Sequence, residues 1–131
     1  MRVGDPSSQQ TEMGPLVSEE QFARVTGYIA DGRQSGAKVA VGGGQVGNLG
    51  YFVAPTVLEN TTPDMKVIRE EIFGPVVCAQ PFGDGDLDAI ARFANDTIYG
   101  LAASGWTRVG GRAHKLASRI RSGTVWINGH N

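Results

Sequence analysis

From residue 75 to residue 128 the hydrophobic pattern passes from strand to helix and back twice. Residues 75–82 are a β-rich apolar run. Residues 86–95 place Leu87, Ile90, Ala91 and Ala94 on one helical face, and 101–107 form a second β-rich run. Ala113, Leu116, Ala117 and Ile120 then share a face of a helix over 110–121, with Arg119 and Arg121 near its negative end and Gly123 at its stop. Residues 124–128 close the series as a strand. Strand, helix, strand, helix, strand at this spacing predicts an α/β fold whose parallel strands are joined by helical crossovers.

The first half is less regular. Residues 1–16 carry Gly4, Pro6, Gly14 and Pro15 and no apolar period, which predicts a surface connection. Ser18 followed by Gln21 is a capping box, and Val17 and Phe22 are spaced for a hydrophobic staple. Phe22, Val25 and Ile29 recur on one face, so a helix is expected over 19–35, ending at Gly36. Residues 38–41 read as a short strand and the glycines from 42 to 50 as a loop. Residues 51–58 are β-rich, but Pro55 lacks a ladder donor and argues for an edge or a bulge.

At 131 residues the chain has room for one compact domain. Its formal charge of -1 provides no net field for nucleic acid or anionic lipid. No apolar run reaches the ~18 residues of a membrane span, and the N-terminus lacks the apolar segment of a signal peptide, so a cytoplasmic location is expected. The single cysteine cannot form an internal disulfide.

That cysteine, Cys78, has two readings, a nucleophile or an inert core thiol. Its apolar neighbours Val76, Val77 and Ala79 favour the second, because burial raises a thiol's pKa. His114 and His130 do not read as a metal pair, and His114, among the basic residues of a helix, reads as solvent-facing. Arg108, Arg112, Lys115, Arg119 and Arg121 form a basic stretch without interleaved aromatics, so a solvated or partner-facing helix side is preferred to a nucleic-acid site. Gly42-Gly43-Gly44 has neither the Lys-Ser/Thr pair nor the following helix of a phosphate loop.

Glu70-Glu71-Ile72-Phe73-Gly74-Pro75-Val76 is different in kind. A carboxylate and a phenyl face on a rigid turn suit a sugar beside an aromatic heterocycle: the acid accepts from two adjacent ribose hydroxyls while the ring holds the flat base. The other reading is an exposed acidic turn with Phe73 anchored in the core.

This segment resembles the signature of the NAD(P)-dependent aldehyde dehydrogenase superfamily. Gly4-Asp5-Pro6, Thr11, Gly14-Pro15-Leu16-Val17, Gly43-Gly44, Gly50-Tyr51-Phe52 with Pro55-Thr56-Val57, Asn95 with Tyr99-Gly100-Leu101-Ala102, and Gly123-Thr124-Val125-Trp126-Ile127-Asn128 follow the family's order. The resemblance implies a three-layer αβα catalytic domain with a mostly parallel sheet, of which residues 1–131 are a part. Residues 1–17 would be a connection, 18–58 a helix with short strands, and 70–128 the cofactor-contact motif with a βαβαβ unit.

By the same resemblance Glu71 binds the nicotinamide ribose and Phe73 contacts the nicotinamide. Gln21 reaches the cofactor ribose, a role that competes with its capping box, and Arg24 is the basic residue one turn on. Asn131 opens a substrate-lining loop. The cofactor is NAD or NADP and the substrate an aldehyde, in a homodimeric or homotetrameric enzyme without nucleic-acid or membrane partners. The family's chemistry begins with a cysteine thiolate attacking the aldehyde to form a thiohemiacetal; after hydride transfer, a glutamate-activated water hydrolyses the thioester. In the family that cysteine and glutamate lie upstream of the matching region, and Cys78 does not fit the nucleophile's motif, so the chain alone is expected to be inactive. A noncatalytic truncated paralogue or interaction module of the same fold is the alternative.

Overall fold

The structure is a computed structural model that describes residues 1–83 and 85–130. The chain folds as two compact units, residues 1–80 and 81–131.

In the first unit, helix α1 (Glu19–Gln34) begins at Ser18, whose Oγ accepts from the Gln21 amide at 3.2 Å. Only this half of the capping box forms, because the Gln21 side chain reaches elsewhere. The staple is also absent. Val17 is 91% exposed, and Phe22 packs instead on Tyr51, with ring centroids 6.1 Å apart. Val25, Tyr28, Ile29 and Gly32 form the buried face of the helix.

Three strands, β1 (Lys38–Val41), β2 (Thr56–Glu59) and β3 (Val76–Cys78), form a sheet in the order β1-β2-β3. β1 and β2 run antiparallel with an irregularity between Val39 and Val41, while β2 and β3 run parallel. The strand expected over 51–58 is confined to its end. Pro55 keeps it from starting earlier, and β2 lies at the centre of the sheet rather than at an edge. Gly42, at φ +71°, sits against this entry: a Cβ there would lie 2.2 Å from the Pro55 carbonyl oxygen. The glycine run therefore serves chain packing, and the Gly43 amide donates to Thr56 Oγ1 at 2.9 Å. A short helix, α2 (Lys66–Arg69), not expected from the periodicity, lies in the connection that makes β2 and β3 parallel. Val25, Tyr28, Ile29, Val53, Leu58, Met65, Val67 and Ile72 form the core, with Leu16 and Cys78 packed against it.

The second unit contains α3 (Leu87–Ala94), β4 (Ala102–Gly105), α4 (Gly110–Ala117) and β5 (Thr124–Ile127). β4 and β5 pair in parallel, Ala102 opposite Thr124, and α4 packs on both strands. Asp86 caps α3, its Oδ1 accepting from the Asp88 and Ala89 amides at 2.9 Å each. The strand–helix alternation thus occurs in the expected order, but β3 bonds to β2 and β4 bonds to β5. Periodicity fixes an element's type and leaves its neighbour open. Helix α4 ends at Ala117, short of the expected 121. The Asn95 side chain donates to the Arg119 carbonyl at 2.7 Å and accepts from the Arg121 amide at 2.7 Å, taking backbone groups that another helical turn would use.

Candidate functional site

Gln21, Arg24, Glu71 and Phe73 come together at the C-terminal end of α2, where the chain runs along the side of α1 before entering β3. Gln21 Nε2 donates to the Phe73 carbonyl at 2.6 Å and approaches the Ile72 carbonyl at 3.4 Å. Arg24 donates from a terminal guanidinium nitrogen to the Glu71 carbonyl at 2.9 Å. Both helix side chains therefore bind the main chain of the motif, three residues apart on one face.

Two close packings fix the turn between these bonds. Ile72 is buried in the core, and Gly74 lies so close to Val25 that a Cβ would meet its Cγ2 at 2.5 Å. Phe73, pinned between them, takes φ +54°, a left-handed conformation unfavourable for a bulky L-residue. Its ring is 73% exposed, so it is not the core anchor of the alternative reading. Glu71 is exposed beside it, and its carboxylate has no protein partner among the described residues. A free carboxylate next to a rigidly presented phenyl face fits a ribose carrying an aromatic base. Asn131, expected at the substrate loop, lies outside the described residues.

The neighbouring Glu70 is engaged differently. Its carboxylate accepts from the Tyr28 hydroxyl at 2.5 Å, a bond that holds the tyrosine's pKa above its ordinary value. Arg24 and Lys66 both approach the Tyr28 ring, at 5.6 and 5.0 Å from its centroid. Tyr28, Glu70 and Lys66 were not among the expected site residues. The available signal was helical phase, since Tyr28 lies four residues after Arg24 and seven after Gln21.

Cys78 packs against the core, with its Sγ 3.4 Å from the Val67 carbonyl, and burial pushes its thiol pKa up. That is the environment of an inert thiol. His114 and His130 are both exposed, and His130 meets Trp126 edge-on at 6.0 Å. In the basic stretch, Arg119 Nε lies 2.6 Å from Asp88 Oδ1, and Arg121 donates to the Asn95 carbonyl at 2.8 Å. Among the described residues, no cluster of His, Cys, Asp and Glu could hold a metal ion, and no helix is long and apolar enough to cross a membrane.

Comparison with known proteins gives a consistent result. A model of the aldehyde dehydrogenase family matches residues 1–131. The chain is 48% identical over 130 residues to an aldehyde dehydrogenase of Emericella nidulans, covering 99% of this chain and 26% of that protein. It is 46% identical over 135 residues to a betaine aldehyde dehydrogenase of Brucella anthropi, covering 100% of this chain and 27% of the relative. The NAD+ complex of an aldehyde dehydrogenase from Bacillus cereus superposes with a TM-score of 0.94 at 45% identity, over 99% of this chain and 26% of that one. The chain thus spans about a quarter of the length of the relatives it matches.

Proposed function

The chain belongs to the aldehyde dehydrogenase family, and from that premise we propose that its Glu71–Phe73 turn is one wall of the nicotinamide-ribose site of an NAD(P)-dependent aldehyde dehydrogenase. The observation that carries this reading is the turn itself: an exposed ring at φ +54° beside a carboxylate without a partner among the described residues, on a main chain held by α1. In this role Glu71 accepts hydrogen bonds from adjacent ribose hydroxyls, and Phe73 lies against the nicotinamide. Gln21 and Arg24 hold the turn through its carbonyl oxygens. The bound cofactor supplies the hydride acceptor. The reading carries with it an aldehyde substrate and a homodimeric or homotetrameric enzyme in the cytoplasm.

In the same reading the chain by itself oxidises no aldehyde. Its one thiol, Cys78, is packed on the core with a raised pKa, the opposite of an activated nucleophile. The test is an NMR titration of the purified chain with NAD+ to millimolar concentration, followed by an aldehyde. We expect weak, saturable shifts centred on the Glu71 and Phe73 amides and no NADH after addition of aldehyde. Shifts confined to other parts of the chain would refute the site, and stoichiometric NADH lost on alkylation of Cys78 would refute the assignment of an inert thiol.

A further inference from the structure

We propose that Tyr28 and Glu70 are positioning residues: the Tyr28 hydroxyl, by holding the Glu70 carboxylate against α1, determines which of two adjacent glutamates faces the nicotinamide ribose. The inference rests on the ribose reading of Glu71 and explains why Glu71, not Glu70, has that role. The two side chains are chemically identical and adjacent in sequence, so identity alone does not select between them.

The selection comes from the backbone. Glu70 is extended, at φ -120° and ψ 150°, and in an extended stretch successive side chains leave on opposite sides. Fixing one therefore aims the other. Glu70 is fixed at both ends, its amide donating to the Lys66 carbonyl at 3.0 Å and its carboxylate accepting from Tyr28 at 2.5 Å. The tyrosine is itself firmly held, as part of the buried core with its ring beside the Arg24 and Lys66 cations. Arg24 continues to the next residue, donating to the Glu71 carbonyl at 2.9 Å. The raised pKa of Tyr28 keeps its hydroxyl protonated, and so a donor, throughout the neutral range.

The test uses the whole chain, with backbone 15N relaxation at Glu71 and Phe73 and the NAD+ dissociation constant as readouts. Tyr28→Phe keeps the ring and its cations and removes only the hydroxyl; Glu70→Gln keeps an acceptor, and Glu70→Ala removes it. Tyr28→Phe and Glu70→Ala are each expected to loosen the Glu71 amide on the ps–ns scale and to weaken NAD+ binding roughly 3- to 10-fold. Glu70→Gln should stay within about twofold of the parent, and the Tyr28→Phe/Glu70→Ala double variant should lose no more than either single change. Unchanged amide shifts at Val25 and Ile29 would establish that α1 remains folded. A Tyr28→Phe chain with parent-like order at Glu71, a Glu70→Gln variant as impaired as Glu70→Ala, or additive losses would each overturn the proposal. If NAD+ leaves the Glu71 amide of the parent chain undisturbed, the ribose reading fails, and relaxation alone decides whether Tyr28 positions the turn.

Discussion

Replacing Gly74 with alanine tests how tightly the motif is set on α1. The added Cβ would stand 2.5 Å from Val25 Cγ2, 2.8 Å from Cγ1 and 3.3 Å from Val25 Cβ. Carbon atoms in good contact sit at about 3.5–4.0 Å, so the nearest pair is short by about 1 Å. Val25 has nowhere to go: it is 0% exposed, it is confined to essentially one rotamer in a helix, and both of its methyls face the intruder. The φ of Gly74 lies outside the left-handed region, so the conflict is steric rather than conformational. Relief requires segment 72–75 to lift from α1, stretching the bonds from Gln21 and Arg24 to the motif carbonyls. Overpacking of this kind costs about 1–3 kcal/mol, against which alanine's lower chain entropy returns about 0.4–1 kcal/mol. The expected net loss is about 1–2 kcal/mol, read from amide hydrogen exchange at Val25 and Ile29. Val25→Ala alone should cost about 1.5–3 kcal/mol of burial. Combined with Gly74→Ala it removes the clash, so the double variant should be more stable than the sum of the single changes by at least about 1 kcal/mol. Strict additivity, or a Gly74→Ala chain as stable as the parent, would refute the argument.

Three further outcomes follow from single features. Phe73→Gly should leave the unit as stable or slightly more stable while weakening NAD+ binding, because the left-handed backbone costs a non-glycine residue about 1–2 kcal/mol, more than the ~0.5–1 kcal/mol of added glycine entropy, and the ring is mostly exposed; a clearly lower urea midpoint would contradict this. Thr61 Oγ1 is buried without a partner among the described residues, so Thr61→Val should stabilise by about 1 kcal/mol and raise the melting temperature of an 80-residue unit by about 4–8 °C, whereas a fall in melting temperature would mean that the hydroxyl is satisfied in solution. The hydrogen bond and charge of Arg119 hold the Asp88 carboxyl below its ordinary pKa; this contribution to stability is present above about pH 4 and lost as the pH falls through the folded-state value. In Arg119→Gln the Asp88 carboxyl should titrate closer to its ordinary value by NMR, and an unchanged titration would assign the shift to another group.

The features legible in the sequence were those written locally. α1 and the order of elements after residue 75 follow from hydrophobic period and caps, and the observed helix ends within one residue of the expected 35. What escaped depended on long-range partners. The end of α4 is set by Asn95, 24 residues before Arg119, through a hydrogen bond that no periodicity encodes. The half-made capping box has the same cause: the glutamine that would close it is engaged 52 residues away at Phe73. The pairing of β3 with β2 depends on a connection through α2, four residues long and too short to show a period. For the site, residue types were readable and roles were not. Glu70 and Glu71 look alike in a string of letters and differ only when Tyr28 is seen to bond one of them.

The four expected cofactor residues also behave as two kinds. Glu71 and Phe73 turn their side chains outward, while Gln21 and Arg24 spend hydrogen bonds on the motif's own carbonyls. A helix can support a loop in this way only if its core face and its loop-facing edge are in phase, and α1 meets that condition. Val25 and Ile29 anchor it in the core, while Gln21, Arg24 and Tyr28 recur at the spacing of one helical edge along the motif. Consistent local preferences favour a single fold, and departures from them collect where function requires a particular geometry. Phe73 is such a departure, a bulky residue in a glycine-like conformation with its ring left exposed. The bonds from α1, the burial of Ile72 and the close seat of Gly74 on Val25 all converge on that residue, and every one of them lies within residues 1–80. The geometry of the proposed nicotinamide wall is therefore set within the first unit.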